Sequence, residues 1–471
     1  MTQTVSGGWE ALSAAMSGPV LGPSDEGYDE ARKVWNADID RHPRVIAGCT
    51  SAQDVATAIA FARDEGLEVA VRGGAHSVPG HCVVDDGIMI DLSRLNQVVV
   101  DPAARRARVG GGALLAELDA VTQAHGLAVP VGAVGHTGVA GLTLGGGMGW
   151  LSRQAGLTVD NLVSAEVVVA DGRILRVSAT EHTDLFWAIR GGGGNFGVVT
   201  EFEFRLHEVG PTVQFGLLFW EIDRGVEALR VIRDAIAELP RSVNAIVAAA
   251  LNAPPLPFIP EQHRDKLGHA LLVAGFGDPA EHERVITRVR EALPPLFDHV
   301  QPIPYTALQQ TFDEASPWGL YDYDKGIMLD ELSDGAIEVI DEYARRKTSP
   351  LSFVFVYRLD GAFAEIGPDD TAFGGDRSPC YFAFLIAEGL TPATLVADRE
   401  WVRALWDALQ PHSRGLGSYV NAIHEQDEDR IRATYGREKY ERLVRIKQRY
   451  DPGNVFRRNA NIKPGPVRVH R

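Results

Sequence analysis

The chain has 471 residues, 45% of them hydrophobic, with a formal net charge of −17 and a pI near 5.3. That length calls for two or more domains, or one large domain with an insertion, and the apolar content allows sizeable cores. The acidity argues against nucleic acid, polyanions or an anionic membrane surface as partners.

Residues 1–42 read as a partly helical lead-in. Residues 1–10 show neither a basic nor an apolar targeting segment, and no apolar run reaches membrane-spanning length, so a cytoplasmic protein is expected. From Pro43 strand and helix alternate. The pattern predicts a strand over 44–47, a helix over 51–65 capped by Ser51 with Asp54 in its first turn, and a strand over 67–72. Strands follow at 88–91, 97–100 and 106–109, then a helix at 114–125. Strands 164–169 and 174–177 flank Asp171-Gly172, a strong hairpin signal. A helical turn is expected at 184–190 and a strand at 198–206. The order is α+β and not a regular βαβ series.

Residues 208–411 differ in character. Strands at 214–220, 269–276, 352–360 and 381–387 are interleaved with helices at 225–237, 279–292 and 334–346. A sheet with helices on one face fits, leaving the other face to cover a ligand. Residues 252–260 are Pro-rich and read as a loop. The C-terminal part has helices at 428–435 and 437–449, then Tyr450-Asp-Pro-Gly-Asn-Val-Phe, where Pro452-Gly453 ends the helix.

Three cysteines, Cys49, Cys82 and Cys380, stand apart with no metal-type spacing. This suits a reducing compartment. His81, His125, His412 and His424 form no metal-like cluster in sequence, so no metal is expected.

Chemistry concentrates in three glycine-rich segments. Val71-Arg-Gly-Gly-Ala-His-Ser-Val-Pro-Gly80 places adjacent glycines after a strand, where successive N–H groups make an anion-binding nest beside His76. A tight turn with a solvated histidine is the alternative. The second segment runs from Gly132 to Trp150 and the third from Asp184 to Thr200. A dinucleotide fingerprint can be forced onto Gly145–Gly149 or Gly191–Gly197. Neither lies in a clean strand–turn–helix unit with an acidic residue about 20 positions on.

Together these segments resemble the berberine bridge enzyme-like oxidases of the vanillyl-alcohol oxidase superfamily, and the resemblance covers nearly the whole chain. It implies a two-domain PCMH-type FAD-binding fold. The FAD domain would span 1–207, with its core at about 40–207. An antiparallel sheet covered by helices would form a substrate domain over 208–411. Residues 412–471 would return to the FAD domain. The resemblance places His76 as the residue bonded to the 8α-methyl group of FAD, within a loop of Arg72, Gly73, Gly74, Ala75 and Ser77. Many family members carry a second, cysteinyl link. Its position falls on Val134, which has no nucleophile, so a single link is expected.

His136, Thr137 and Gly138 match the second flavin loop. Thr137 and Leu142 match positions near the oxygen-reactive locus. Gly141, Gly145, Gly146 and Gly197 match backbone contacts, and Val199 one at the adenine end. Asn454, Asn459 and Asn461 are structural or flavin-contacting. On the substrate side, Tyr419-Val-Asn421 matches a Tyr-x-Asn element whose tyrosine can act as base or orient a hydroxyl. Tyr323-Asp-Lys325 matches a Tyr-x-Lys element, with Lys325 alternatively an ion-pair partner. The glutamate base of berberine bridge enzyme itself would fall near Ala383 or Phe384, where no carboxylate stands; Tyr381 is a substitute. The implied activity is an FAD-dependent oxidase that passes electrons to O2 and gives hydrogen peroxide. Its small-molecule substrate would be an aromatic, polyketide-like or alkaloid secondary metabolite. A dehydrogenase with another acceptor, a sugar or oligosaccharide oxidase and a flavin-binding protein without turnover stay open. The protein is expected as a monomer or homodimer.

Overall fold

A computed structural model describes residues 9–415, 417–424 and 428–465; expectations for residues 1–8 and 466–471 lie outside the described residues. The fold is α+β and is organised around three sheets. The first has four strands in the order Val20–Leu21, Val45–Gly48, Ile88–Asp91, Val69–Arg72, the last three parallel. Helix Ala52–Asp64 packs on it, and Ser51 caps that helix by accepting from the Asp54 amide at 3.1 Å.

The second sheet is antiparallel, in the order Val98–Asp101, Arg106–Gly110, Val198–Arg205, Leu162–Val168, Ile174–Ser178. Asp171-Gly172 turns the expected hairpin, with Gly172 at φ 89°. These strands alternate in burial, so one face packs against helix Leu115–Gln123 and the C-terminal helix.

The third sheet has seven antiparallel strands, in the order Phe297–Pro304, Thr212–Glu221, Leu267–Gly275, Val243–Asn252, Phe353–Leu359, Cys380–Gly389, Tyr321–Leu329. Helices Gly225–Ala237, Pro279–Ala292, Asp334–Ala344 and Pro392–Leu409 cover one face. The other face looks towards the glycine-rich segments. Strand Val243–Asn252 and helix Pro392–Leu409 are absent from the sequence expectation. The alanines of Val243–Asn252 carry no strand signal, and burial on both faces removes the alternation.

The C-terminal segment Glu428–Tyr450 is helical on either side of Gly436, whose backbone is non-helical at φ 69° and ψ 167°, so it is two helices meeting at a kink, as the sequence reading expects. Near the end of that segment, Lys447 is fully buried and donates to Asp451 at 2.6 Å, Asn195 O at 2.7 Å and Phe456 O at 2.8 Å. Asp451 also accepts from the Val455 and Phe456 amides. Asn195, in the third glycine segment, receives the Ile462 amide at 2.9 Å. The charged pair and the asparagine therefore lock the chain end onto the glycine run. No helix among the described residues is long and apolar enough to cross a membrane.

Candidate active site

Strand Val69–Arg72 delivers its chain into the first glycine segment. Arg72 lies beside Asp91 at 3.4 Å, and its buried Nε has no partner in the protein. A Cβ on Gly74 would lie 2.2 Å from the Gly138 nitrogen, so the first and second glycine segments touch backbone to backbone. Ala75 is held at φ 58°, a left-handed conformation that costs about 1 kcal/mol for a residue with a Cβ. His76 follows directly. Ser77 accepts the His81 amide at 3.0 Å and closes the loop.

His76 is half-buried and sits in an aromatic setting. Its ring stacks on Trp35 at 5.1 Å and meets Trp318 edge-on at 6.3 Å. Its Nε2 lies 2.6 Å from His136 Nδ1. Burial, and then His136, push the His76 imidazole down to about 3, so the ring is neutral over the working range. The second segment holds His136 from both sides. Gly135 donates to Asp313 at 2.6 Å, and Thr137 receives the Leu115 amide at 2.9 Å. His136 Nε2 is buried without a partner.

Helix Val139–Gly145 then starts, and the glycine run turns away from it at Gly146, φ 140°, and Gly147, φ 78°. Tyr419 reaches this turn. Its phenolic oxygen accepts from the Gly147 amide and from Asn421 Nδ2, each at 2.9 Å. Asn421 also donates to the carbonyls of Gly141 and Leu142 and fills the space a Gly145 Cβ would take. Burial pushes the Tyr419 phenol up to about 12, against the pull of those two donors. Gly141 has nothing within 4 Å of a Cβ position, so open space adjoins it. Gly197 and Val199 pack in the second sheet, where Gly111 approaches the Val199 carbonyl. Asn459 donates to Phe456 O at 3.3 Å.

Over this cradle lies the uncovered face of the seven-stranded sheet. Phe353, Phe355, Tyr357, Phe382, Phe384 and Met328 occupy it, packed towards Trp150, Phe373 and Tyr419. Three carboxylates share that face at its edge. Asp322 stands opposite Glu388 in register, and Asp324 two residues on. Burial raises all three, Asp324 to about 7 and Glu388 to about 8. No metal-holding group of His, Cys, Asp or Glu occurs among the described residues.

Not every expected side chain converges here. Tyr323 lies on the opposite face, in the core under the helices, where its hydroxyl meets Arg403 at 3.3 Å. Lys325 shares that face, its ammonium 4.6 Å from the Trp406 ring. Tyr381 is also on the helix side, beside Arg358. The period of two decides this: odd positions of Tyr321–Leu329 point to the helices and even positions to the cradle. Trp35, Trp318 and Asn421 are site residues the motifs did not name as such. Asn421 was within reach, being part of the Tyr-x-Asn element, whereas Trp35 has no local signal.

The glycine cradle, unpartnered Arg72 Nε and His136 Nε2, and the open space at Gly141 fit a flat dinucleotide cofactor. Residues 43–178 match the family of FAD binding domains, and residues 418–463 match the berberine and berberine-like family. An FAD-linked oxidoreductase of Dictyostelium discoideum is 31% identical over 94% of this chain and 93% of its own length. The chain belongs to the berberine bridge enzyme-like FAD-linked oxidoreductases. Within that family, (R)-6-hydroxynicotine oxidase of Paenarthrobacter nicotinovorans is 29% identical over 96% of this chain and 98% of its own. The solved 6-hydroxy-D-nicotine oxidase of Arthrobacter nicotinovorans superposes with a TM-score of 0.84 at 29% identity, covering 96% of this chain and 98% of that one. Glucooligosaccharide oxidase of Acremonium strictum gives a TM-score of 0.84 at 25% identity, covering 97% and 99%; its FAD is described as 6-S-cysteinyl, 8α-N1-histidyl.

Proposed function

We propose that this FAD-linked oxidoreductase is an oxidase of small, largely apolar aromatic substrates, with FAD bonded through His76 alone. Bound FAD supplies a two-electron acceptor that takes hydride from a substrate carbon and passes the electrons to O2 as hydrogen peroxide. Residues 1–207 and 412–471 form the FAD-binding part, and 208–411 the substrate part. Arg72, Gly73, Gly74, Ala75, His76 and Ser77 hold the cofactor together with His136, Thr137, Gly138, Gly141, Leu142, Gly145, Gly146, Gly197, Val199 and Asn459. Val134 offers no second nucleophile, and Cys82 is buried against Ala75 with its thiol pushed up by burial.

The observation that carries the substrate reading is the aromatic face of the sheet opposite the cradle. Phe353, Phe355, Tyr357, Phe382 and Phe384 present planar apolar surface, which suits an aromatic or polyketide-like body better than a sugar. Tyr419 is protonated at neutral pH, so it orients a substrate hydroxyl or amine first and accepts a proton only as that group is withdrawn. A cytoplasmic location fits three free, buried cysteines.

The test is oxygen uptake with a panel of aromatic alcohols, phenolic polyketides, cyclic amines and oligosaccharides. The reading predicts one peroxide per substrate oxidised in the aromatic classes. Turnover confined to oligosaccharides, or only with an artificial acceptor such as ferricyanide, would overturn it.

A further inference from the structure

We propose that His136 is a positioning residue for flavin attachment: it holds His76 in the nucleophilic tautomer and takes the proton that attachment releases. This rests on the covalent role of His76 proposed above.

His136 Nδ1, 2.6 Å away, is the polar partner of the His76 ring. Burial and His136 alone shift the His76 imidazole, and no carboxylate contributes. The His76 plane is fixed against Trp35, whose own N–H is anchored to Ser316 O at 2.9 Å. His136 is fixed in turn by the backbone bonds of Gly135 and Thr137 on either side of it. Two rigid loops, in contact at Gly74 and Gly138, thus deliver two imidazoles to one hydrogen bond.

The direction of that bond has a chemical consequence. When His76 Nε2–H donates to His136 Nδ1, His76 Nδ1 carries the free lone pair. Attachment then proceeds as follows. With FAD bound, the 8α-methyl carbon would give up a proton to water, and His76 Nδ1 would form a bond to that carbon. The Nε2 proton passes to His136 Nδ1. Two electrons left on the flavin pass to O2, which takes two protons and leaves as hydrogen peroxide. His136 Nε2, buried without a partner in the protein, is free to meet the cofactor.

The experiment compares wild type, His136→Ala and His136→Gln, each prepared without flavin and then given FAD in air. The readouts are noncovalent FAD affinity, the rate at which flavin becomes acid-precipitable, and its pH dependence. The expected result is that His136→Gln binds FAD but attaches it about 100-fold or more slowly, the range for a lost general base. Added imidazole should restore part of the rate in His136→Ala. Attachment in His136→Gln at the wild-type rate would overturn the proposal. So would a wild-type attachment rate in His136→Gln once it is saturated with FAD, which would make His136 a cofactor-binding residue alone. A wild type that never attaches FAD overturns the covalent reading itself, and is told apart because it shows in the parent protein.

Discussion

The phenolic oxygen of Tyr419 accepts the backbone N–H of Gly147 at 2.9 Å, tying the C-terminal segment to the turn that ends the second glycine run. The bond makes the cradle a joint product of chain regions 272 positions apart. It also sets what Tyr419 can do, because both observed bonds to its oxygen come from donors and leave the O–H proton to point elsewhere.

Tyr419→Phe should therefore lose more than a reactive group. The Gly147 amide would be left unsatisfied, at about 1–3 kcal/mol. We expect kcat to fall roughly 100-fold or more, within the range for a lost acid–base group, while acid-precipitable flavin is retained. Anaerobic reduction of the flavin by substrate checks this.

Gly141 and Gly74 separate cofactor fit from folding. A Cβ on Gly141 meets open space, so Gly141→Ala should melt like wild type while binding FAD less tightly. A Cβ on Gly74 meets the Gly138 backbone at 2.2 Å, so Gly74→Ala should lower Tm as well as flavin content. Thermal melts of flavin-free protein, with FAD titration, distinguish the two.

Gly145 and Asn421 should be coupled. A Cβ on Gly145 would lie 2.2 Å from Asn421 Oδ1, and Asn421 is held by three hydrogen bonds. Gly145→Ala alone should disturb Asn421 and Tyr419 together. Adding Asn421→Gly should recover part of the lost flavin affinity, giving a non-zero coupling in a double-mutant cycle.

Much of this architecture was legible in the sequence. Glycine runs, the Asp171-Gly172 hairpin, the Ser51 cap and the Tyr-Asp-Pro-Gly-Asn element each carry a local physical signature. Which face a strand presents is not local. Tyr323-Asp-Lys325 reads equally well either way, and the helices packing on its odd positions decide. Trp35 reaches His76 only through tertiary folding. Helix Val139–Gly145 runs through Gly-Leu-Thr-Leu-Gly, a poor helix former, and exists because Val139, Ala140 and Thr143 are buried.

That facing has its own test. Tyr323→Phe removes a hydroxyl that meets Arg403 in the helix-side core and keeps the ring, so kcat and covalent flavin should stay within about two-fold of wild type. A large loss of kcat with unchanged Tm would put Tyr323 back among the reacting groups.

Glu388 predicts a pH dependence of stability. Its carboxyl is raised by burial from 4.5 to about 8, beside Asp322. A raised folded value means that its stabilising contribution is full below the ordinary value and is lost as pH climbs towards 8. Glu388→Gln has no such loss. The Tm of Glu388→Gln relative to wild type should rise between about pH 5 and pH 8 and then level off. A constant difference across that range would contradict the assignment.

Attachment of FAD through His76 is tested by denaturing purified protein in acid and following the yellow colour into a peptide digest. A single bond from His76 to FAD predicts that the colour stays with the precipitate and that one peptide, containing His76, carries the mass of FAD, with Cys49, Cys82 and Cys380 unmodified. Yellow supernatant with an unmodified His76 peptide, or flavin on any other residue, would contradict it.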